Sequence, residues 1–427
     1  MMSYAVDFFR ALEIGRPPNI TSLFPHSRAL LVSGKVIDRA LIGKGKAMTM
    51  AANGRNHLVI RGALRAAQRA RAALIIEIAR SEGGASAYCA TNYWNIARQV
   101  DAICNELGIT VPVAIHADHY GIKNPEDVPF AKQEIPSLFD AGMTSIAIDA
   151  SHMVDEDNLL ASIELARYVP SWAGHETEVG EIKGKYGLST KDEALFIIRG
   201  LNAYNIFPDW IALNNGTTHG IEASAQGIQV ELTTEIHDVL AGFALSGAQH
   251  GTSGNNSDRL RAIAAKTKTT KANVATALQM ISWGVRVNDY GNAVLDDKGE
   301  FIKVPGEGVS EELWQEMKNY AQEHGLSGGN YKKLNIVFEN RIMGQPAAIR
   351  ERMTRRVEDF VYTMLVEVFN AGDTARYGVE AILDAGSYDM GPKTGRIESP
   401  EEWTREKIHV RATELDSDKG PAGDFDD

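Results

Sequence analysis

The sequence predicts a closed, parallel (β/α)8 barrel carrying an extended helical C-terminal region. Three observations lead there. Short apolar runs alternate with helical stretches through the first two thirds of the chain, and the runs are apolar on both faces, as strands of a sheet buried on both sides must be. Ionisable residues follow many of these runs at their C-terminal ends, whereas an open doubly wound sheet gathers its site at one switch point. No G-x-G-x-x-G follows an early strand, which removes the main argument for a dinucleotide fold.

In chain order, the clearest strand runs are Ala73–Ala79 (ALIIEIA), Val111–His116 (VPVAIH), Ser145–Asp149 (SIAID), Trp210–Asn214 (WIALN) and Gly242–Ser246 (GFALS). Between and beside them the spacing predicts helices over Val59–Ala73, Trp94–Leu107, Asp157–Tyr168 and Asp192–Leu201. After Asn288 the pattern changes: Ala293–Val304 reads as a hairpin around Asp296-Asp-Lys-Gly299, and Glu311–His324 and Ile349–Phe369 read as helices. The acidic, small-residue-rich end, Asp416–Asp427, is expected to fray. The expected division is an N-terminal segment over 1–30, a barrel over 31–375 with an insertion around 290–335, and a C-terminal extension over 376–427.

Bulk chemistry narrows the function classes. A net charge of −12 over 427 residues disfavours nucleic acid and anionic membranes as partners. Two cysteines, Cys89 and Cys104, cannot staple a chain this long and have no metal-ligand spacing, which suits a reducing cytoplasm. The N-terminus lacks the basic start and apolar run of a signal peptide, and no stretch approaches the ~20 apolar residues that span a bilayer.

Four segments carry the residues of a catalytic site. His116-Ala-Asp118-His119 places two imidazoles and a carboxylate directly after a strand; read alone, it could equally be a solvated loop. In Asp149-Ala-Ser-His152-Met-Val-Asp155, Asp155 could be a carboxylate ligand or, as the better reading in isolation, the N-cap of the next helix. In Glu176-Thr-Glu178-Val-Gly180 alternation sends both carboxylates one way, and burial would demand a metal or cationic partner. The fourth pair is His219-Gly220 and His250-Gly251-Thr252-Ser253-Gly254. Three imidazoles, His119, His219 and His250, meeting on one ion with an open position describe a catalytic rather than a structural metal site. The glycine-rich turn after His250 exposes backbone N–H groups suited to phosphate, against the plainer reading of a flexible turn.

In this order and spacing, over roughly Ala51 to Asn288, the motifs resemble the class II, metal-dependent ketose-bisphosphate aldolases, such as fructose-bisphosphate aldolase. The resemblance implies a divalent metal, zinc or a substitute, on His119, His219 and His250, with Glu178 taking part and Asp155 where some members bind a second metal. A monovalent cation is a further cofactor it allows. Asp118 matches the aspartate that exchanges a proton with the substrate hydroxyl, and Asn53 and Ser81 match early substrate contacts. Gly220, Gly251, Thr252, Ser253 and Asn288 fall on the phosphate or ketone side.

The implied reaction is reversible retro-aldol cleavage of a ketose phosphate through a metal-stabilised enediolate. Fructose 1,6-bisphosphate, giving glycerone phosphate and glyceraldehyde 3-phosphate in glycolysis, is the default substrate. A cytoplasmic homo-oligomer, dimer or tetramer, is implied as well. The chain departs from the family in two places. The loop that usually reads Gly-Gly-x-Glu-Asp here reads Glu181-Ile-Lys-Gly-Lys-Tyr186, which leaves Glu181, or Tyr186, for the second proton. Asn288 is followed by Asp-Tyr-Gly where the family has Asn-x-Asp-Thr. A metal-dependent barrel hydrolase, an aldolase for another or non-bisphosphorylated ketose, and a non-catalytic subunit stay open as alternatives. A lysine Schiff base would be a different electron sink, but no strand-end lysine stands out.

Overall fold

A computed structural model describes residues 2–85, 87–180, 188–216, 227–253, 255–288 and 291–415. Eight parallel strands close on themselves: β1 (Thr49–Asn53), β2 (Leu74–Ala79), β3 (Val113–Gly121), β4 (Ser145–Asp149), β5 (Gly174–Val179), β6 (Trp210–Leu213), β7 (Ser246–Gln249) and β8 (Thr269–Val274). The barrel shuts where β1 pairs with β8, Thr49 opposite Lys271 and Ala52 opposite Val274. Helices between the strands complete the (β/α)8 barrel that the alternation predicts.

Three strands escape the search for apolar runs: β5, read only through its alternating carboxylates Glu176 and Glu178, and two others. β1 (TMAAN) is built of small residues, and β8 (TTKANV) carries a lysine and an asparagine inside the barrel. The expected run Gly242–Ser246 is displaced. Ala241–Phe243 forms a 3-10 turn that ends on left-handed Ala244 (φ 54°), and the strand starts only at Ser246. Hydrophobicity located the approach to this strand rather than the strand, whose own residues (SGAQ) are small or polar.

The helix Asp155–Leu165 also corrects an expectation. Its N-cap is extended Val154, which makes no side-chain cap, and Asp155 is the first helical residue. With Glu156 and Asp157 it places three carboxylates in the first turn, where the helix dipole favours them. The helix expected over Ile349–Phe369 runs as α-helix from Ala347 to Thr363 and continues as a π turn over Met364–Val368. It packs across the helix His57–Ala70 at Gly62, where a Cβ would come within 2.7 Å of Thr354 O and of Val357 Cβ. Only glycine allows that approach.

Beyond β8, bridges Leu295–Phe301, Val287–Ala293 and Val285–Lys303 tie the insertion together, and a turn over Asp296–Gly299 closes its tip, where the hairpin is expected. The helix Thr374–Ala385 packs on Gly34–Lys44, which covers the N-terminal end of the barrel, so a division at 376 would cut through a helix that belongs to the barrel's packing. Farther on, Lys393 reaches in beside the starts of β6 and β7. The acidic end from residue 416 lies outside the described residues.

Candidate metal centre

The centre is assembled at the C-terminal ends of β3, β5 and β7, the end at which barrels of this kind hold their sites. On β3, the register against β4 shifts between Ala117 and Tyr120, and within that bulge His119 takes a left-handed φ of 39°. Non-glycine residues pay a conformational penalty there. The result is that consecutive side chains, Asp118 and His119, both serve the mouth, which a regular strand would forbid.

β5 contributes Glu176 and Glu178 by alternation, both buried. His250 follows β7, buried, and its ring stands edge-on to His119 with centroids 4.3 Å apart. Among the described residues, ligand-type atoms lie within 4.8 Å of one another in Asp118–His119–His250, in His119–Asp149–Glu178, in Glu176–Glu178–His250 and in Glu77–His116–Asp118.

Hydrogen bonds decide which atoms are on offer. His250 Nε2 donates to Glu176 Oε1 at 2.8 Å, which leaves Nδ1 with the lone pair. That Nδ1 is buried, makes no hydrogen bond, and faces Glu178 Oε2 at 3.6 Å. His119 Nδ1 lies 3.2 Å from Glu178 Oε1 and 3.5 Å from Asp149 Oδ2. Asp149 is anchored from behind by the Ser151 amide and hydroxyl at 3.0 and 2.7 Å. A buried imidazole nitrogen with a free lone pair, beside a second imidazole and two carboxylates, fits a borderline divalent cation such as zinc.

Electrostatics support the same set. Burial alone would raise Asp118, but Lys271 and then the imidazoles of His119, His250 and His116 hold its carboxyl well below the usual range. Burial and the neighbouring Asp149 push Glu178 up. Burial opposes charge on His119, yet Glu178 and Asp118 carry its pKa well above the ordinary value. The carboxylates and imidazoles lie close enough to set one another's charge.

Lys271 is the residue that sequence reasoning missed. It sits on β8 inside the barrel, fully buried, with Nζ 2.7 Å from Glu176 Oε2, 3.0 Å from His116 Nε2, 3.3 Å from Asp118 Oδ1 and 3.6 Å from Glu77 Oε2. Burial would depress it, but Glu176, Asp118 and Glu77 raise its pKa, which favours the charged ammonium over a Schiff-base nucleophile. The available signal was its single lysine in a run of alternating β-formers, Thr269-Thr-Lys-Ala-Asn-Val274.

The same missed strand brings a second polar residue to the mouth. Asn273, two residues beyond Lys271, donates from Nδ2 to Asp118 Oδ1 at 2.8 Å. Asn273-Val-Ala275-Thr276 therefore meets the Asn-x-Asp-Thr pattern at a strand end, with alanine where the family has aspartate. Asn288 lies instead in a turn closed on Asn292, facing a cleft of about 570 Å³ with Asn256, Arg261 and Phe360.

Other expected residues spread around the mouth. Asn53 ends β1 and donates to Glu82, which also takes Arg55. Ser81 lies in the short helix Arg80–Gly83, with its hydroxyl buried and not hydrogen-bonded. Gly251 takes φ 57°, and the amides of residues 251–253 make no backbone hydrogen bond among the described residues. Asp155 is buried at its helix start and belongs to none of the four ligand groups. His219, Gly220, Gly254, Glu181 and Tyr186 lie outside the described residues.

Comparison with known proteins identifies the family. Residues 36–325 match the family model described as fructose-bisphosphate aldolase class-II. A fructose-bisphosphate aldolase from Streptococcus pneumoniae serotype 4 is 30% identical over 221 residues, 51% of this chain and 69% of that protein. Among solved structures, the YdjI aldolase from Escherichia coli K12 superposes with a TM-score of 0.53 at 16% identity, covering 81% of this chain and 99% of that one. A fructose-bisphosphate aldolase from Campylobacter jejuni gives a TM-score of 0.54 at 17% identity, covering 81% and 97%. At such identities the structures attest the shared fold, whereas the family match covers most of the chain. The chain belongs to the class II fructose-bisphosphate aldolase family.

Proposed function

We propose that this chain is a zinc-dependent lyase that cleaves a ketose phosphate by a reversible retro-aldol reaction, with fructose 1,6-bisphosphate as the default substrate. The observation that carries the reading is the pairing of His119 and His250 at 4.3 Å between ring centroids, with the ionised Asp118 immediately beside them. His119 and His250 would hold the metal, with His219 as third imidazole and Glu178 as the adjacent carboxylate. When bound, the metal supplies Lewis-acid polarisation of the substrate ketone and its neighbouring hydroxyl.

The chain's own residues do the rest. Asp118 Oδ1 is held by Lys271 and Asn273, so the carboxylate is oriented and ionised, ready to take the hydroxyl proton at the bond being broken. The electron pair of that carbon–carbon bond then passes to the ketone fragment, and Glu181, or Tyr186, is the candidate that the sequence offers for the second proton. The amides after His250 suit a phosphate group. Asn53 and Ser81, at the ends of β1 and β2, are proposed substrate contacts.

The test is metal removal. Chelation should lower cleavage of fructose 1,6-bisphosphate by about 10²-fold or more, and zinc, cobalt or manganese should restore it. Tagatose 1,6-bisphosphate and an unphosphorylated ketose serve as comparison substrates. A stripped sample as active as the untreated protein would end this reading.

A further inference from the structure

We propose that Lys271 is a positioning residue for the metal centre: it sets, through Glu176, which nitrogen His250 offers to the ion, and it sets, through Asp118, which oxygen the proposed base turns to the mouth. The inference rests on the metal reading above and extends it to a residue that touches neither ion nor substrate.

The two oxygens of Glu176 are divided. Oε2 takes the Lys271 ammonium at 2.7 Å and Oε1 takes His250 Nε2 at 2.8 Å. An imidazole that donates from Nε2 keeps its lone pair on Nδ1, the atom that is buried without a hydrogen bond. Asp118 is divided in the same way. Oδ1 receives Lys271 at 3.3 Å and Asn273 at 2.8 Å, while Oδ2 lies 3.9 Å from His119 Nε2. One ammonium thus anchors two carboxylates, each of which orients a residue of the centre.

His116 closes the shell. Its Nε2 accepts from Lys271 at 3.0 Å, and its Nδ1 then donates to Ser145 Oγ at 2.7 Å. Glu77 faces the ammonium at 3.6 Å and contacts neither His250 nor His119 within ion-pair distance, so it shares the charge without sharing the relay. A lysine placed only for packing would not need both carboxylates to be split between itself and the site.

The experiment measures metal binding by competition with a chromogenic chelator, together with the cobalt(II) d–d absorption band and the thermal midpoint. Lys271→Met should weaken zinc binding about 10- to 100-fold and alter the cobalt band. Glu77→Gln, which loses only the 3.6 Å contact, should leave both readouts as in the parent. Where Lys271→Met fails to fold because it strands buried carboxylates, Lys271→Met with Glu176→Leu removes the pair as a unit and is the better-tolerated change. It is expected to show the same weakened binding and altered band. A folded variant, single or double, that matches the parent in affinity and in cobalt spectrum overturns the proposal. A parent chain that binds no zinc overturns the metal reading itself, so the two failures are distinguishable.

Discussion

Two lysines bring positive charge into this barrel, and they are received very differently. Lys393, from the segment after the last barrel-packing helix, meets one carboxylate, Asp38 Oδ2 at 2.6 Å, and two neutral oxygens, Asp209 O at 2.9 Å and Ser246 Oγ at 3.0 Å. Three donors find three acceptors, and the other oxygen of Asp38 takes the Thr270 hydroxyl at 2.7 Å. Lys271, near the opposite end, meets three carboxylates and an imidazole. Around it both Glu77 oxygens, Asn273 Oδ1 and His250 Nδ1 are buried without hydrogen bonds. Buried polar groups are normally satisfied, so the surplus of acceptors around Lys271 sets the mouth apart. At the floor the open group is a donor instead, Arg39 Nη1, 3.6 Å from Asp38 Oδ2.

The contrast is tested most strongly at Asp118. Asp118→Asn keeps the shape and can still accept from Asn273, but it removes the proposed base. It should lower kcat about 10²- to 10⁴-fold on whichever ketose phosphate the parent cleaves, in a steady-state assay with saturating zinc. An Asn variant as active as the parent would take Asp118 out of the chemistry and leave the mouth's excess negative charge without its main explanation.

The sequence made the mouth partly legible and the floor hardly at all. β4 was readable to the residue because SIAID is apolar and bounded by turns, and Glu176 and Glu178 were placed on one face by alternation alone. His119 was readable as a ligand type, but its left-handed backbone within a bulge depends on how β3 pairs with β4, which no local pattern encodes. β8 was missed because its inward positions are Lys271 and Asn273, so the hydrophobic signal fails where polar residues replace the core. Lys393 lies 355 residues from Asp38, a separation at which composition and periodicity carry no information.

Lys393→Met sharpens the comparison from the other side. It removes the nearest cation from the fully buried Asp38, leaving Arg39 at 3.6 Å, and a buried pair broken at one partner typically costs about 3–5 kcal/mol. Urea unfolding should show a loss of roughly that size, while the zinc affinity of the folded fraction stays at the parent value. Weakened zinc binding in this variant would mean that floor and mouth are mechanically linked, and the contrast drawn above would fail.

The smallest effect concerns an imidazole at the floor. His237 is buried on the helix Val230–Val239, its Nδ1 accepts the Lys268 amide at 3.1 Å, and burial with the nearby Lys268 pushes its pKa down to about 4. An unfolded histidine titrates at about 6.5. Below that value the unfolded chain takes up a proton that the folded chain refuses, so this group's contribution is fully present above pH 6.5 and drains away as pH falls towards 4. The slope is about 1.4 kcal/mol per pH unit, or about 3 kcal/mol over the window. His237→Gln has no proton to take up, so its stability, measured by urea unfolding at pH 7, 6, 5 and 4, should fall less steeply than that of the parent. His175, likewise pushed down to about 4 by burial and then Lys35, is present in both chains, so the difference between the two curves isolates His237. Parallel curves would show that the floor accommodates a charged imidazole beside Lys268.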